Sequence, residues 1–143
     1  DCMPVLLAAP GRRVVAAVHA GWRGTAAGVL EAAVDHLARE FAVSSDALEA
    51  VIGPSIGGCC YEVGENVVAA FRARTADATA PAWTRQGDRD HLDLRTAARC
   101  LLEAAGVGPV TLVGPCTACG QGYHSYRRDG TRTGRQLSFA GWA

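Results

Sequence analysis

Apolar residues fall along this chain in two rhythms, and the switches between them predict its elements. "PVLLAA" (4–9) and "RVVAAVHA" (13–20) are nearly continuous apolar runs separated by the turn pair Pro10-Gly11, so the chain opens on a hairpin. Between 25 and 41, apolar residues recur at 26, 29, 30, 33, 34, 37 and 41, the spacing of an amphipathic helix. "LEAVIG" (48–53) reads as a buried strand, and "PSIGGCC" after it as a tight glycine-rich loop. Val63, Val67, Val68 and Phe71 mark a second helix with a glutamate-rich start, the end where negative charge is favoured. Residues 75–92 are polar and irregular and read as a mobile surface loop. Asp93 is placed to cap a helix with Leu94, Ala98, Leu101, Leu102 and Ala105 on one face, and Gly106 ends it. "PVTLVG" (109–114) is a strand, and the alternation in "QLSFAGW" (136–142) predicts a last one. Strands interleaved with helices, without repeat or linker, predict an α/β (α+β) layered sandwich with a mixed sheet, as a single domain over 1–143.

Composition narrows the classes. The chain has 143 residues, 49% hydrophobic and 20% charged, enough for one domain with a real core. Its formal net charge of zero argues against a dedicated nucleic-acid binder. No apolar run approaches a membrane span. The expected setting is cytoplasmic, as a monomer or weak homo-oligomer. All 14 basic residues are arginine, which excludes a lysine nucleophile or Schiff base within these residues. The even count of six cysteines could suggest disulfides, but the chain is too large and too apolar to need them, and the adjacent Cys59 and Cys60 make an awkward framework element. Reduced thiols are expected. The chain starts at Asp1 and enters its first apolar run at once, as a piece entered in mid-fold.

The chemistry centres on "AAVHAGWRG" (16–24), where an apolar run ends in a titratable ligand, an aromatic and a cation between glycines. If Pro10 and Gly11 are the central turn residues, Cys2 lies directly opposite His19, with Cβ atoms about 4.5–5.5 Å apart. A longer turn would slip that register. Such a pair can share a zinc ion, act as a thiolate–imidazolium nucleophile, or be a buried thiol beside a histidine bonded to a carbonyl. Arg23 sits between Gly21 and Gly24, which let backbone approach a ligand, and is the first candidate for phosphate or developing charge. Arg127, Arg128, Arg132 and Arg135 face only Asp129, as phosphate forks or as a solvated surface. His124 precedes "SYRRDG" and can reach the same pocket. Cys116 and Cys119 form a CxxC, a zinc half-site or a redox pair. "GPSIGG" before a helix is an anion-cradling pattern, and Trp22 is a core plug or a base-stacking platform. His36 and His91 read as surface residues, and Cys100 lies off its helix's apolar face.

Four motifs in order, "DCMPVL", "AAVHAGWRG", "IGPSIGGCCYEVG" and "SYRRDG…TGRQLSF", resemble the YfiH-like family, also labelled polyphenol oxidase or laccase-domain proteins. The resemblance implies a cysteine-hydrolase-like, toxin-domain-like sandwich and a zinc site made by one cysteine and two histidines. It implies phosphorolysis of adenosine, inosine, guanosine and methylthioadenosine, and deamination of adenosine. Its older label is copper-dependent oxidation of phenols. The family's cysteine falls on Cys2 and its second histidine on His19. The remaining histidine lies upstream of the "DC" motif, so this chain is expected to be an N-terminally truncated domain. The leading expectation is a purine nucleoside phosphorylase or adenosine deaminase loaded with Zn2+, or with Cu2+, acting on purine nucleosides and phosphate. Its catalytic residues would be Cys2, His19 and Arg23, with Arg127, Arg128 and His124 on substrate or phosphate. The alternatives are a copper-dependent polyphenol oxidase, a non-enzymatic zinc or redox module on Cys116 and Cys119, and cysteine hydrolysis by Cys2 with His19 as base. Four histidines are few for a multicopper oxidase.

Overall fold

Alternation in the first apolar run builds the main sheet. In the computed structural model, which describes residues 1–75 and 77–143, β1 is Met3–Ala9. Its odd positions Met3, Val5, Leu7 and Ala9 are buried, and its even positions are half-buried. β2 is Val14–Ala20, antiparallel to β1. The turn between them is longer than two residues. Pro10–Arg12 makes a single 3-10 turn and Arg13 takes a left-handed backbone with φ 52°. The lengthened turn moves the register, so His19 pairs with Pro4 and not with Cys2.

The next segment holds two helices where one was expected. α1 is Trp22–Ala27 and α2 is Val29–Phe41, broken at Gly28, whose φ of 90° ends the first helix and starts the second. Leu30, Val34 and Leu37 point inward from α2. β3, Glu49–Ile52, follows the expected strand closely. A short β4, Glu62–Val63, takes Val63 out of the predicted helix, and α3 runs over Glu65–Thr75.

Residues 77–92 are ordered into structure rather than a loose loop; Ala76 lies outside the described residues. β5 is Trp83–Gln86 and β6 is Arg89–Leu92, a hairpin closed by Gly87-Asp88 with Gly87 at φ 64°. Trp83 stands edge-on to the fully buried Phe71 at 5.8 Å, and His91 and Leu92 are buried. The hairpin is therefore anchored through the faces its polar residues leave free. α4, Leu94–Ala104, is capped by the Asp93 carboxylate, which accepts from the backbone N–H groups of Arg95 and Thr96, as expected. β7 is Val110–Leu112 and α5 is Tyr126–Asp129. No strand forms over 136–142; Leu137 and Phe139 are more than four-fifths exposed, with no strand paired to them among the described residues.

Two sheets result. The first has the order β2-β1-β3-β7, with β3 and β7 parallel and the rest antiparallel, and the second is β4-β6-β5. This is a mixed α+β fold. The inner face of the first sheet is buried with apolar residues of α2 and α4, including Leu30, Leu101 and Leu102. Its outer face stays partly open, with Leu6 half-buried and Val51 38% exposed. Among the described residues, no helix is long and apolar enough to cross a membrane.

Candidate functional site

Period-two geometry puts Cys2 and His19 on the same, outer face of the hairpin. His19 lies opposite Pro4, and Cys2 is two residues before Pro4 on the same side. The pair is diagonal, not directly opposed, and both residues are exposed. Diagonal neighbours lie about 7–8 Å apart, with Cβ atoms somewhat closer, within reach of a shared ligand. Extending the register sets Cys2 against Gly21. A Cβ built on Gly21 would come within 2.9 Å of the Cys2 Sγ, so the missing side chain is the space the thiol occupies. Asp1 holds this end of the chain. Its carboxylate accepts from the Thr117 hydroxyl and the Arg127 backbone N–H, both at 2.7 Å, and its carbonyl accepts from the Ile56 N–H.

The arginines divide in two. Arg23, in the first turn of α1, is exposed and lies 4.4 Å from the Trp22 ring centroid, while Trp22 packs partly on the core. Arg127 stacks 5.1 Å from the Tyr61 ring centroid and donates to the carbonyls of Cys60 and Glu62. Burial raises the pKa of the Tyr61 hydroxyl, while the charges of Arg127 and Arg23 oppose the rise and that of Cys2 adds to it. Arg127 links the Tyr61 ring to the Asp1 end of the chain, since its backbone N–H is the one that bonds the Asp1 carboxylate. Arg128 is different. Its N–H groups go to both oxygens of Asp129 and to the carbonyls of Thr117, Ala118 and Tyr123, using all five donors inside the protein. In this structure its side chain is taken up in holding the Cys116–Gly120 turn and Asp129. Arg135 donates to the nearby carbonyls of Thr133 and Gly134. His124 is tied to the C-terminal segment, its ring on Gly134 and its backbone bonded both ways to the Gln136 amide.

Of the other histidines, His36 is exposed, as expected, beside Phe41. His91 is not a surface residue. It is 8% exposed, and its Nδ1 lies 2.8 Å from the Gly58 carbonyl, to which it donates.

A second centre is absent from any single motif. The turn Gly57–Tyr61 and the turn Cys116–Gly120 meet, and the ligand atoms of Cys59, Cys60, Cys116 and Cys119 all lie within 4.8 Å of one another. A parallel bridge from Ser55 to Cys116 and the bond from the Thr117 N–H to the Ser55 carbonyl set the two turns side by side. Burial pushes the Cys116 thiol up, but backbone N–H groups of Gly57, Cys119 and Ala118 hold its thiolate, and the balance brings it down to about 6. Burial and hydrogen bonds to Cys119, Cys59 and Cys116 push Cys60 up to about 12. Burial raises Cys59 as well. Sequence reasoning saw Cys116 and Cys119 as half a site; adjacency of Cys59 and Cys60 hid the other half. A cleft of about 420 Å³ opens beside Cys59, with Ala82, Thr84, Asp93 and Arg95 in its walls; Cys2, His19 and Arg23 do not line it.

A family model described as multi-copper polyphenol oxidoreductase laccase matches residues 1–143. A Deinococcus radiodurans protein named purine nucleoside phosphorylase is 42% identical over 143 residues, covering 99% of this chain and 54% of that protein. A protein named adenosine deaminase RL5, from an unknown prokaryotic organism, is 37% identical, covering 96% of this chain and 54% of that protein. The crystal structure of a Bacillus licheniformis hypothetical protein YfiH superposes with a TM-score of 0.84 at 35% identity, covering 91% of this chain and 51% of that one. The chain spans about half the length of the curated relatives it matches.

Proposed function

The chain belongs to the laccase-like YfiH family, and from that premise we propose that its outer sheet face supplies part of a purine-nucleoside active site. The observation that carries this reading is that Cys2 and His19 stand diagonal on one exposed face, with the Arg127 backbone N–H bonded to the Asp1 carboxylate beside Cys2 and its side chain stacked on Tyr61. Relatives named purine nucleoside phosphorylase and adenosine deaminase support the reaction class. On this reading the sheet belongs with the cysteine-hydrolase-like sandwiches.

A thiol and an imidazole fit zinc or copper in donor chemistry, and the thiol-shaped gap at Gly21 fits a cysteine held in place as a ligand. Cys2 and His19 would hold Zn2+ together with a histidine from the part of the relatives that this chain does not span. When bound, such an ion supplies a Lewis acid beside the nucleoside. The protein's own groups do the rest. Arg23, exposed and braced on Trp22, holds phosphate against the sugar, where charge develops as the glycosidic bond breaks. Arg127 holds the Tyr61 ring in place and presents its remaining N–H groups beside it. Tyr61, half-buried, donates a hydrogen bond from its hydroxyl to the base or sugar.

The laccase description favours phenol oxidation, the second reading. Its demand for imidazoles is poorly met here. His91 bonds to Gly58, His124 packs on Gly134 and His36 sits beside Phe41, which leaves His19 on the open face. The test uses the full-length protein with adenosine and phosphate. Adenine and ribose 1-phosphate are the expected products, with inosine if deamination competes. Arg23→Ala should lower phosphorolysis by about a hundredfold, the scale of one lost transition-state donor, and spare deamination. Phenol oxidation at a comparable rate, with no nucleoside turnover, would move the assignment to the oxidase.

A further inference from the structure

We propose that Cys59, Cys60, Cys116 and Cys119 form a second, tetrathiolate zinc site that clasps two loops of this chain together. The donor set is complete without any residue from elsewhere. A tetrahedral zinc ion with Zn–S bonds of about 2.3 Å sets its sulfur atoms about 3.8 Å apart. Cys59 Sγ and Cys119 Sγ stand 3.7 Å apart, already at that spacing, and no pair of the four exceeds 4.8 Å. A shift of about one ångström closes the shell. All the cysteines are free, and the Cys59–Cys119 separation is far beyond a disulfide bond.

The surroundings are built for it. The Gly57 N–H donates to Cys116 Sγ at 3.2 Å, the kind of backbone bond that steadies a metal-bound thiolate. A side chain at Gly57 would press on Cys116, with a Cβ only 3.3 Å from the Cys116 Cβ. The carbonyls of the two turns are held from outside: Gly58 by His91, Cys60 by Arg127, and Thr117 and Ala118 by Arg128. On binding, each thiol still protonated releases its proton to solvent, and the four sulfurs leave the zinc centre with a net charge of 2−. Arg127 and Arg128 bracket that charge. Cys59 and Cys119 are exposed, which gives the ion a path in. Because Tyr61 follows Cys60 directly, the clasp would also fix the ring on which Arg127 stacks.

The site is independent of the Cys2–His19 reading, and one experiment separates them. Full-length protein is purified without affinity metal, and zinc is counted by plasma mass spectrometry in wild type, Cys2→Ala and Cys59→Ser/Cys119→Ser. The expected result is that Cys2→Ala keeps one zinc per chain which the double variant loses, and that cobalt in that site gives a tetrathiolate absorption spectrum. Equal zinc in the double variant and wild type overturns the proposal, as does a Cys59–Cys119 disulfide in freshly purified protein. Should the double variant fail to fold, iodoacetamide labelling of wild type decides. Protection of all four cysteines that a chelator abolishes supports the clasp, and labelling unchanged by chelator overturns it.

Discussion

The outer sheet face and the junction of the two cysteine turns both bring together residues of metal-ligating type, but they are made in opposite ways. Cys2 and His19 sit on one hairpin, exposed and diagonal, and on the proposed reading two protein ligands would leave a metal's remaining positions open to substrate or to a further residue. The four cysteines come from turns about sixty residues apart, and their contact exists only because the chain folds. They saturate a tetrahedral ion and leave no position for chemistry. An open site is placed by secondary structure and a closed one by tertiary structure. The same contrast predicts which substitutions damage stability and which damage activity.

Gly120→Ala should break the closed centre most severely. Its Cβ would collide with the Cys116 backbone carbonyl, which cannot swing aside as a side chain does, and Pro115 lies just beyond. We expect a loss of about 3 kcal/mol, the upper end for overpacking, read from urea unfolding, together with loss of the zinc that survives Cys2→Ala. A variant with unchanged stability would mean that the turn is loose, and the contrast between the two sites would weaken. His91→Ala ranks next. It leaves the half-buried Gly58 carbonyl without its ring partner, and should cost about 1 kcal/mol while lowering metal affinity in the cluster. Cys2 chemistry should be affected only through Tyr61.

The difference also explains what the sequence could reveal. The hairpin strands, the Asp93 cap and the position of β3 are local, and each was legible from pattern, whereas the inward choice of Met3, Val5 and Leu7 in a run apolar at almost every position was not. The face shared by Cys2 and His19 was legible too, because a register shift of two residues preserves the side of the sheet. Their direct pairing was not, since it depended on whether the turn held two residues or the four from Pro10 to Arg13. Gly87-Asp88 carried a usable hairpin signal, masked by the polar residues of β5 and β6. Burial of His91 had no local signature, because the partner that buries its ring is the Gly58 turn. The cluster was unreadable for the same reason: neither Cys59-Cys60 nor Cys116-x-x-Cys119 has a complete ligand spacing, and only their meeting does.

Gly21→Ala tests the open site with the smallest structural disturbance. Gly21 has φ −83° and ψ 172°, a conformation alanine adopts freely, so the backbone does not object. The new Cβ meets the Cys2 Sγ at 2.9 Å, the mobile end of an exposed side chain that can rotate away. Stability should therefore stay within about 0.5 kcal/mol of wild type. Rotation would take the sulfur off the position from which, on the proposed reading, it holds a metal with His19, and a misplacement of about one ångström at a reacting centre costs roughly a hundredfold. Nucleoside turnover by the full-length protein should fall by that factor while the cluster zinc and the unfolding midpoint hold. Turnover equal to wild type would mean that Cys2 does not need the gap at Gly21, and the face would lose its claim to be the reacting one. A fall in unfolding midpoint as large as that of Gly120→Ala would instead show that the Cys2 end of the hairpin is as rigidly packed as the cysteine turns, and the distinction between an open site and a closed one would fail.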